Sequence, residues 1–304
     1  MNNIIRPWLG LLLLLLPFVC RAETYALVIG INAYPDPVGK DGKALTDDQG
    51  TPIHARLRGA VNDANSIRQL MTTKYGLPES HVRELTDSAA SEQGVLDGFK
   101  WLFQSASAGD QIVFYFSGHG GRFDDPKQPD GYEGVIVLAD KTYVPGSIFG
   151  ELARTLAANG VNATFIFDSC YSGAMSRDAR LRSKYYESVE MLKKAKKLSS
   201  TEFQHALAPA NSVEGQSSTS PGSYAFLFAS KRDQSASDLS GSGKHPAHGV
   251  FTLVLELVIQ DDPKVSLKEM YSLFVETLAK LKFNQVPNFE TSAPARSEKP
   301  LVRQ

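Results

Sequence analysis

Two apolar runs constrain this chain most. Gln111-Ile112-Val113-Phe114-Tyr115-Phe116 and Phe165-Ile166-Phe167 carry no charge, and each breaks abruptly into small, polar residues. Neither alternates apolar with polar residues, as expected of parallel strands covered on both faces. The first run leads into Ser117-Gly118-His119-Gly120-Gly121. The second, about fifty residues on, leads into Asp168-Ser169-Cys170-Tyr171-Ser172-Gly173. Open α/β sheets bind ligands at the carboxyl ends of their strands. A histidine and a cysteine placed there are the parts of a thiolate nucleophile and its base.

Strand and helix patterns alternate around these runs. Residues 24–31 read as a strand and 32–58 as a long polar loop. A helix over 60–74 has Val61, Ala64, Ile67, Leu70 and Met71 on one stripe. A short strand at 81–85, a helix at 91–106 and the strand at 111–116 follow. Residues 120–132 read as a polar loop and 135–138 as a short strand. A helix at 148–158 ends at Asn159-Gly160 before the strand at 163–167. This order predicts an α/β fold with a mostly parallel central sheet and helices on both faces. Residues 176–223 differ: Lys193, Lys194, Lys196 and Lys197 precede a Ser/Gly/Pro/Ala-rich tract. They read as an exposed insertion. The lysine cluster fits a helix face, a self-cleavage region or a contact patch for anions. A strand at 224–229 and helices at 250–259 and 266–281 complete the pattern. One domain, 23–304, thus has a large part (23–175), an insertion (176–223) and a small part (224–304).

The first 22 residues read as a cleavable secretory signal, with Arg6 before an apolar block and small residues at Cys20 and Ala22. A retained anchor and a lipoprotein signal at Cys20 are the alternatives; Phe18-Val19 lacks the small residues the latter needs. Cleavage implies a periplasmic or secreted protein with no stable membrane association. The formal charge of −1 implies no strong pull toward nucleic acid.

Of the two cysteines, Cys20 leaves with the signal. Cys170 then has no partner for an internal disulfide. It is either a reactive thiol, an intermolecular partner or an inert buried cysteine. A thiol at neutral pH needs a base. His119 is the one of six histidines placed between glycines at a strand's end. His54, His81, His205, His245 and His248 read as structural or solvated. Gly118 and Gly120 permit unusual backbone angles and leave room for a substrate carbonyl. The N–H groups of Gly120 and Cys170 can face a developing oxyanion. No third acidic member is evident. Asp168 beside the thiol raises the thiol pKa by like-charge repulsion, so its better use is to pair with a substrate cation. Asp63 can reach the same pocket, or simply serve the dipole of its own helix.

These residues resemble the caspase-like cysteine peptidases, specifically the metacaspases and their bacterial relatives. The matches are residues 25–32, 57–64, 116–120, 168–173 and 229–234, in family order and spread through nearly all of the mature chain. The resemblance implies His119 as general base and acid, Cys170 as nucleophile, and cleavage after Arg or Lys. It implies that Asp63, Asp168 and Ser117 hold the basic side chain, so the partners are polypeptides with basic residues. No cofactor is required by the dyad, but the family often uses calcium, and often cuts itself between its two halves. Its acidic stretch appears here as Asp130-Gly131-Tyr132-Glu133-Gly134. Asp124, Asp125, Asp130, Glu133 and Asp140 can supply oxygens, or form only a solvated loop. Two other functions share these features: a non-catalytic binding or scaffolding module of the same fold, and acyl transfer joining two peptides.

Overall fold

The computed structural model describes residues 22–39, 41–46, 49–128, 131–170, 181–183, 197–199, 201, 221–231, 234, 236–243 and 245–303. The signal up to Arg21, Asp130, Tyr171 to Gly173, most of the insertion with its lysines before Lys197, His205, Arg232 and Asp233 lie outside the described residues.

Six strands form the central sheet: β1 (Thr24–Gly30), β2 (Val82–Thr86), β3 (Gln111–Ser117), β7 (Asn162–Asp168), β9 (Tyr224–Phe228) and β12 (Asn288–Thr291). Their order is β12-β9-β7-β3-β1-β2. All neighbours are parallel except β12, which runs antiparallel to β9. The mostly parallel sheet expected from the alternating pattern is present. Successive residues of the apolar runs feed opposite cores, as the pleat demands. Phe114, Phe116, Phe165 and Phe167 face α2 (Glu92–Ser105) and α3 (Gly146–Ala158). Val113, Tyr115 and Ile166 face α1 (Ala60–Thr73), α4 (Val250–Asp261) and α5 (Leu267–Lys280). Helices therefore cover both faces.

Helix α2 starts at Ser91, whose hydroxyl accepts from the Gly94 N–H at 3.3 Å. Ser91→Ala is expected to cost about 1 kcal/mol of stability, read from the denaturant midpoint.

The structure corrects one stretch. Residues 120–132 are not all loop: β4 (Gly120–Asp124) pairs antiparallel with β5 (Tyr132–Val137), which pairs with β6 (Tyr143–Pro145). The start Gly-Gly-Arg has little intrinsic strand preference, and pairing with the apolar β5 overrides it. A second small sheet joins β10 (Ser237–Leu239) to β8 (Leu181–Ser183) and β11 (His248–Gly249). It lies beside the N-terminus of α1: Asp238 accepts from the Arg58 and Gly59 N–H groups at 3.0 and 3.1 Å.

Candidate active site

The ends of β3 and β7 meet. Ser117 stands opposite Asp168 in the parallel register, so the chain leaves both strands at one level. Gly118 N–H then donates to the Asp168 carbonyl at 3.3 Å. Gly120 packs on Cys170 so closely that a β-carbon there would lie 2.2 Å from the Cys170 carbonyl oxygen. A β-carbon at Gly118 would lie 2.5 Å from the Tyr34 hydroxyl. Neither glycine has a positive φ. The expectation that they supply positive-φ backbone angles is corrected. They are needed because protein atoms already fill the place of a side chain.

His119 is buried, at 3% exposure. Its ring packs on Tyr34, with centroids 4.5 Å apart. Its backbone N–H donates to the Tyr34 hydroxyl at 3.0 Å, and that hydroxyl donates to the Val137 carbonyl at 2.9 Å. Nε2 lies 2.5 Å from the Ala55 carbonyl oxygen. A carbonyl only accepts, so Nε2 carries the hydrogen, and in the neutral ring Nδ1 holds the lone pair. Tyr34 and Ala55 both belong to the long polar loop after β1. Sequence reasoning missed both; the loop's length was the available signal. Val137 N–H donates to the His119 carbonyl at 2.9 Å. In an antiparallel ladder the next pair, Gly120 and Ile136, is then a non-hydrogen-bonded one. The Gly120 N–H therefore points away from β5.

Cys170 is fully buried, and is the free cysteine of the described residues. Its Sγ accepts from the Ala236 N–H at 2.9 Å and donates to the Ala236 carbonyl at 3.0 Å. The segment entering β10 thus lies against the sulfur.

The acidic residues gather on the α1/α4 side of the strand ends. Asp63, Ser117 and Asp168 are each 0% exposed. Ser117 Oγ donates to Asp63 Oδ2 at 2.7 Å. Thr252, near the start of α4, donates to Asp168 Oδ2 from its N–H at 3.1 Å and from Oγ1 at 2.6 Å. Tyr115 Oη lies 2.5 Å from Thr252 Oγ1. Since that hydroxyl gives its hydrogen to Asp168, Tyr115 is the donor. Burial, then the charges of Asp63 and Asp168, raise the Tyr115 pKa well above its ordinary value.

His248, read as structural or solvated, lies in the edge strand β11 against Asp63: Nδ1 is 3.1 Å from Oδ1. The neighbouring Gly249 N–H donates to both Asp63 oxygens at 2.8 and 3.0 Å. Hydrogen bonding to Asp63 raises the His248 pKa above its ordinary value. Burial opposes that shift, and the charges of Asp63, Glu256 and Asp238 reinforce it. No local pattern announced this histidine, because its partner is far away in the chain. The other described histidines differ. His54 pairs with Asp36 at 2.8 Å on the surface, His81 stacks on Tyr25, and His245 is exposed. A cavity of about 220 Å³ lined by Phe149, Phe167, Phe226 and Phe228 lies on the opposite face of the sheet and shares no lining residue with the acidic pocket.

Of the five acids that could supply oxygens to calcium, Asp130 lies outside the described residues. Among the described residues, no three His, Cys, Asp or Glu gather as metal ligands. Glu133 accepts from Ser147 N–H and Gln128 Nε2, at 2.9 and 2.6 Å. Asp140 accepts from the N–H groups of Glu92 and Thr142 at 2.8 and 3.1 Å, and Asp125 from that of Lys127 at 3.0 Å. These carboxylates fasten the chain around β4 and β5.

A mostly parallel sheet with helices on both faces, and a histidine and a cysteine ending adjacent central strands, defines a caspase-type cysteine peptidase. Residues 25–177 match the model of the metacaspase, peptidase C14 domain. That is half of the chain, and the chain belongs to the metacaspase family. It is 25% identical over 315 residues to Metacaspase-1 of Schizosaccharomyces pombe, with 90% of this chain and 68% of that protein covered. It is 26% identical over 322 residues to Metacaspase-1 of Sclerotinia sclerotiorum, with 93% and 69% covered. Among solved structures, protein GSU0716 from Geobacter sulfurreducens shares the fold, with a TM-score of 0.61, 22% identity, and 92% of this chain and 98% of that chain covered.

Proposed function

We propose that this cysteine peptidase hydrolyses peptide bonds on the carboxyl side of arginine or lysine, with Cys170 as nucleophile and His119 as general base and acid. The observation that carries the reading is the pairing of two sealed carboxylates, Asp63 and Asp168, around Ser117 at the strand ends from which His119 and Cys170 emerge. Two buried acids gathered on one side of the strand ends give a negatively charged setting that suits a cationic ligand. An arginine can fork onto a carboxylate, and a lysine can make a point contact.

The chemistry follows from the atoms in place. The Cys170 thiol proton, held by the Ala236 carbonyl in this closed arrangement, passes to His119 Nδ1 once the sulfur turns toward the ring. The thiolate attacks the substrate carbonyl carbon. The resulting oxyanion is stabilised by the Gly120 and Cys170 N–H groups. The C–N bond breaks, and the imidazolium gives its proton to the leaving amine. Water, deprotonated by the same nitrogen, then attacks the thioester and releases the acid and the free thiol. The Ala55 carbonyl fixes the ring and its tautomer, the task an acid performs in other dyads and triads.

Matched reporter peptides ending in Arg, Lys, Asp or citrulline test the reading. Arg and Lys peptides are expected to be cleaved, and Asp peptides at least about a hundredfold more slowly, because like charges cost several kcal/mol in a closed site. Product masses should show added water and no joined peptides. Cleavage of Asp or citrulline peptides as fast as Arg peptides would sink the basic specificity.

A further inference from the structure

The acids of the pocket are sealed, so a substrate cation cannot touch Asp63 or Asp168 until something moves. Asp63 shows what can move. Its partners include the Ser117 hydroxyl, the Gly249 N–H and His248 Nδ1. Ser117 is fully buried at the end of a central strand, and the Gly249 N–H is main chain in a paired strand. Of these three, His248 reaches solvent, with its side chain 13% exposed. It can leave by rotation about its own side-chain bonds.

Among the described residues, the elements packed against His248 each bring an acid. Asp63 comes from α1, Asp238 from β10 and Glu256 from α4. Asp168 and Tyr115 lie behind Asp63 across Ser117. Arg58, which precedes α1, is exposed. The ring is thus a cation-bearing group placed where a cationic substrate is to bind.

We propose that His248 is a resident cation of this pocket and sets its threshold for substrate: a guanidinium or ammonium group reaches Asp63 by exchanging places with the His248 imidazolium. The inference rests on the basic specificity proposed above. Its consequence is a linkage between ligand and proton. Below its pKa in the pocket, His248 is charged and competes for Asp63. As pH rises through that pKa the competitor loses its charge, and ligand affinity rises. Once expelled, the ring returns to its ordinary pKa of about 6.5, so cation binding near neutral pH releases a proton. His248 is accordingly a specificity-determining residue rather than a catalytic one.

Agmatine, a guanidinium without a scissile amide, is the probe. Its binding to the purified protein is measured calorimetrically from pH 6 to 8, in buffers of different ionisation enthalpy. A neutral ureido analogue and the variant His248→Gln are run alongside. The wild type is expected to release protons on binding agmatine, with affinity falling by at most about tenfold per pH unit between the pKa of His248 in the pocket and about 6.5, and levelling below that, where the expelled ring keeps its proton. His248→Gln should bind agmatine severalfold more tightly at pH 6 and lose that linked proton. Wild-type binding without proton release, with a pH profile matching that of His248→Gln, overturns the inference. The wild-type proton count decides by itself if the variant folds poorly. Agmatine binding to neither protein, together with no cleavage of Arg peptides, overturns the basic pocket, and this inference with it.

Discussion

Cys170→Ala is expected to lower hydrolysis of Arg and Lys reporter peptides by about 10⁴-fold or more, the scale on which nucleophile removal acts in peptidases. The sulfur is the only atom of that side chain able to form the acyl intermediate, and a methyl group cannot replace it. The fold should survive. Cys170 is fully buried, and its Sγ bonds to the main chain of Ala236, which the substitution leaves in place. Loss of the sulfur should cost about 1–2 kcal/mol, within the range for small core truncations. Activity and thermal midpoint must therefore part company. His119→Ala should give a loss of similar size, and the double variant should lose no more than the worse single one, because the two residues act as one unit. An arginine-directed electrophile should add its mass to the wild type and not to Cys170→Ala. Retention of turnover by a folded Cys170→Ala protein would remove the dyad from the mechanism.

How much of this was legible beforehand depended on whether the signal was local. The runs ending at Phe116 and Phe167 are dense in apolar, β-forming residues, so β3 and β7 could be read directly. The glycines around His119 and the Asp-Ser-Cys turn marked the strand ends. Asp63 was reachable because α1 carries it on a clear amphipathic helix. Strands β10 and β11, of three and two residues, are too short for any period to show. They matter most for what encloses the site, since Ala236 lies against Cys170 and His248 against Asp63. Those contacts cross 66 and 185 residues of chain, where no window of sequence can see them. Strand β4 was hidden for another reason: its pairing comes from β5, not from its own composition. Gly118 and Gly120 were noticed, but a sequence cannot say whether a glycine supplies an angle or an absence of atoms.

That distinction makes Gly120→Ala the second large effect. The added β-carbon would lie 2.2 Å from the Cys170 carbonyl oxygen and 3.1 Å from the Val135 carbonyl oxygen. Both are main-chain atoms, one in the turn after β7 and one in β5, and neither can swing aside. Relief requires the turn after His119 to move away from the turn carrying Cys170. A shift of about 1 Å between reacting groups costs on the order of 10²-fold in rate, and overpacking a tight site costs about 1–3 kcal/mol of stability. Gly120→Ala should therefore lose about a hundredfold or more in kcat/KM while still folding. Gly118→Ala is the control from the other side of the histidine. Its β-carbon would meet the Tyr34 hydroxyl at 2.5 Å and the Phe116 ring at 2.8 Å. Both are side-chain rather than main-chain atoms, though both rings are buried, so the loss should be smaller than at Gly120 but accompanied by a larger loss of stability. Paired kinetics and denaturant midpoints check the order. If Gly120→Ala kept full activity and Gly118→Ala did not, the ring's support by Tyr34 would matter more than the contact between the two strand ends.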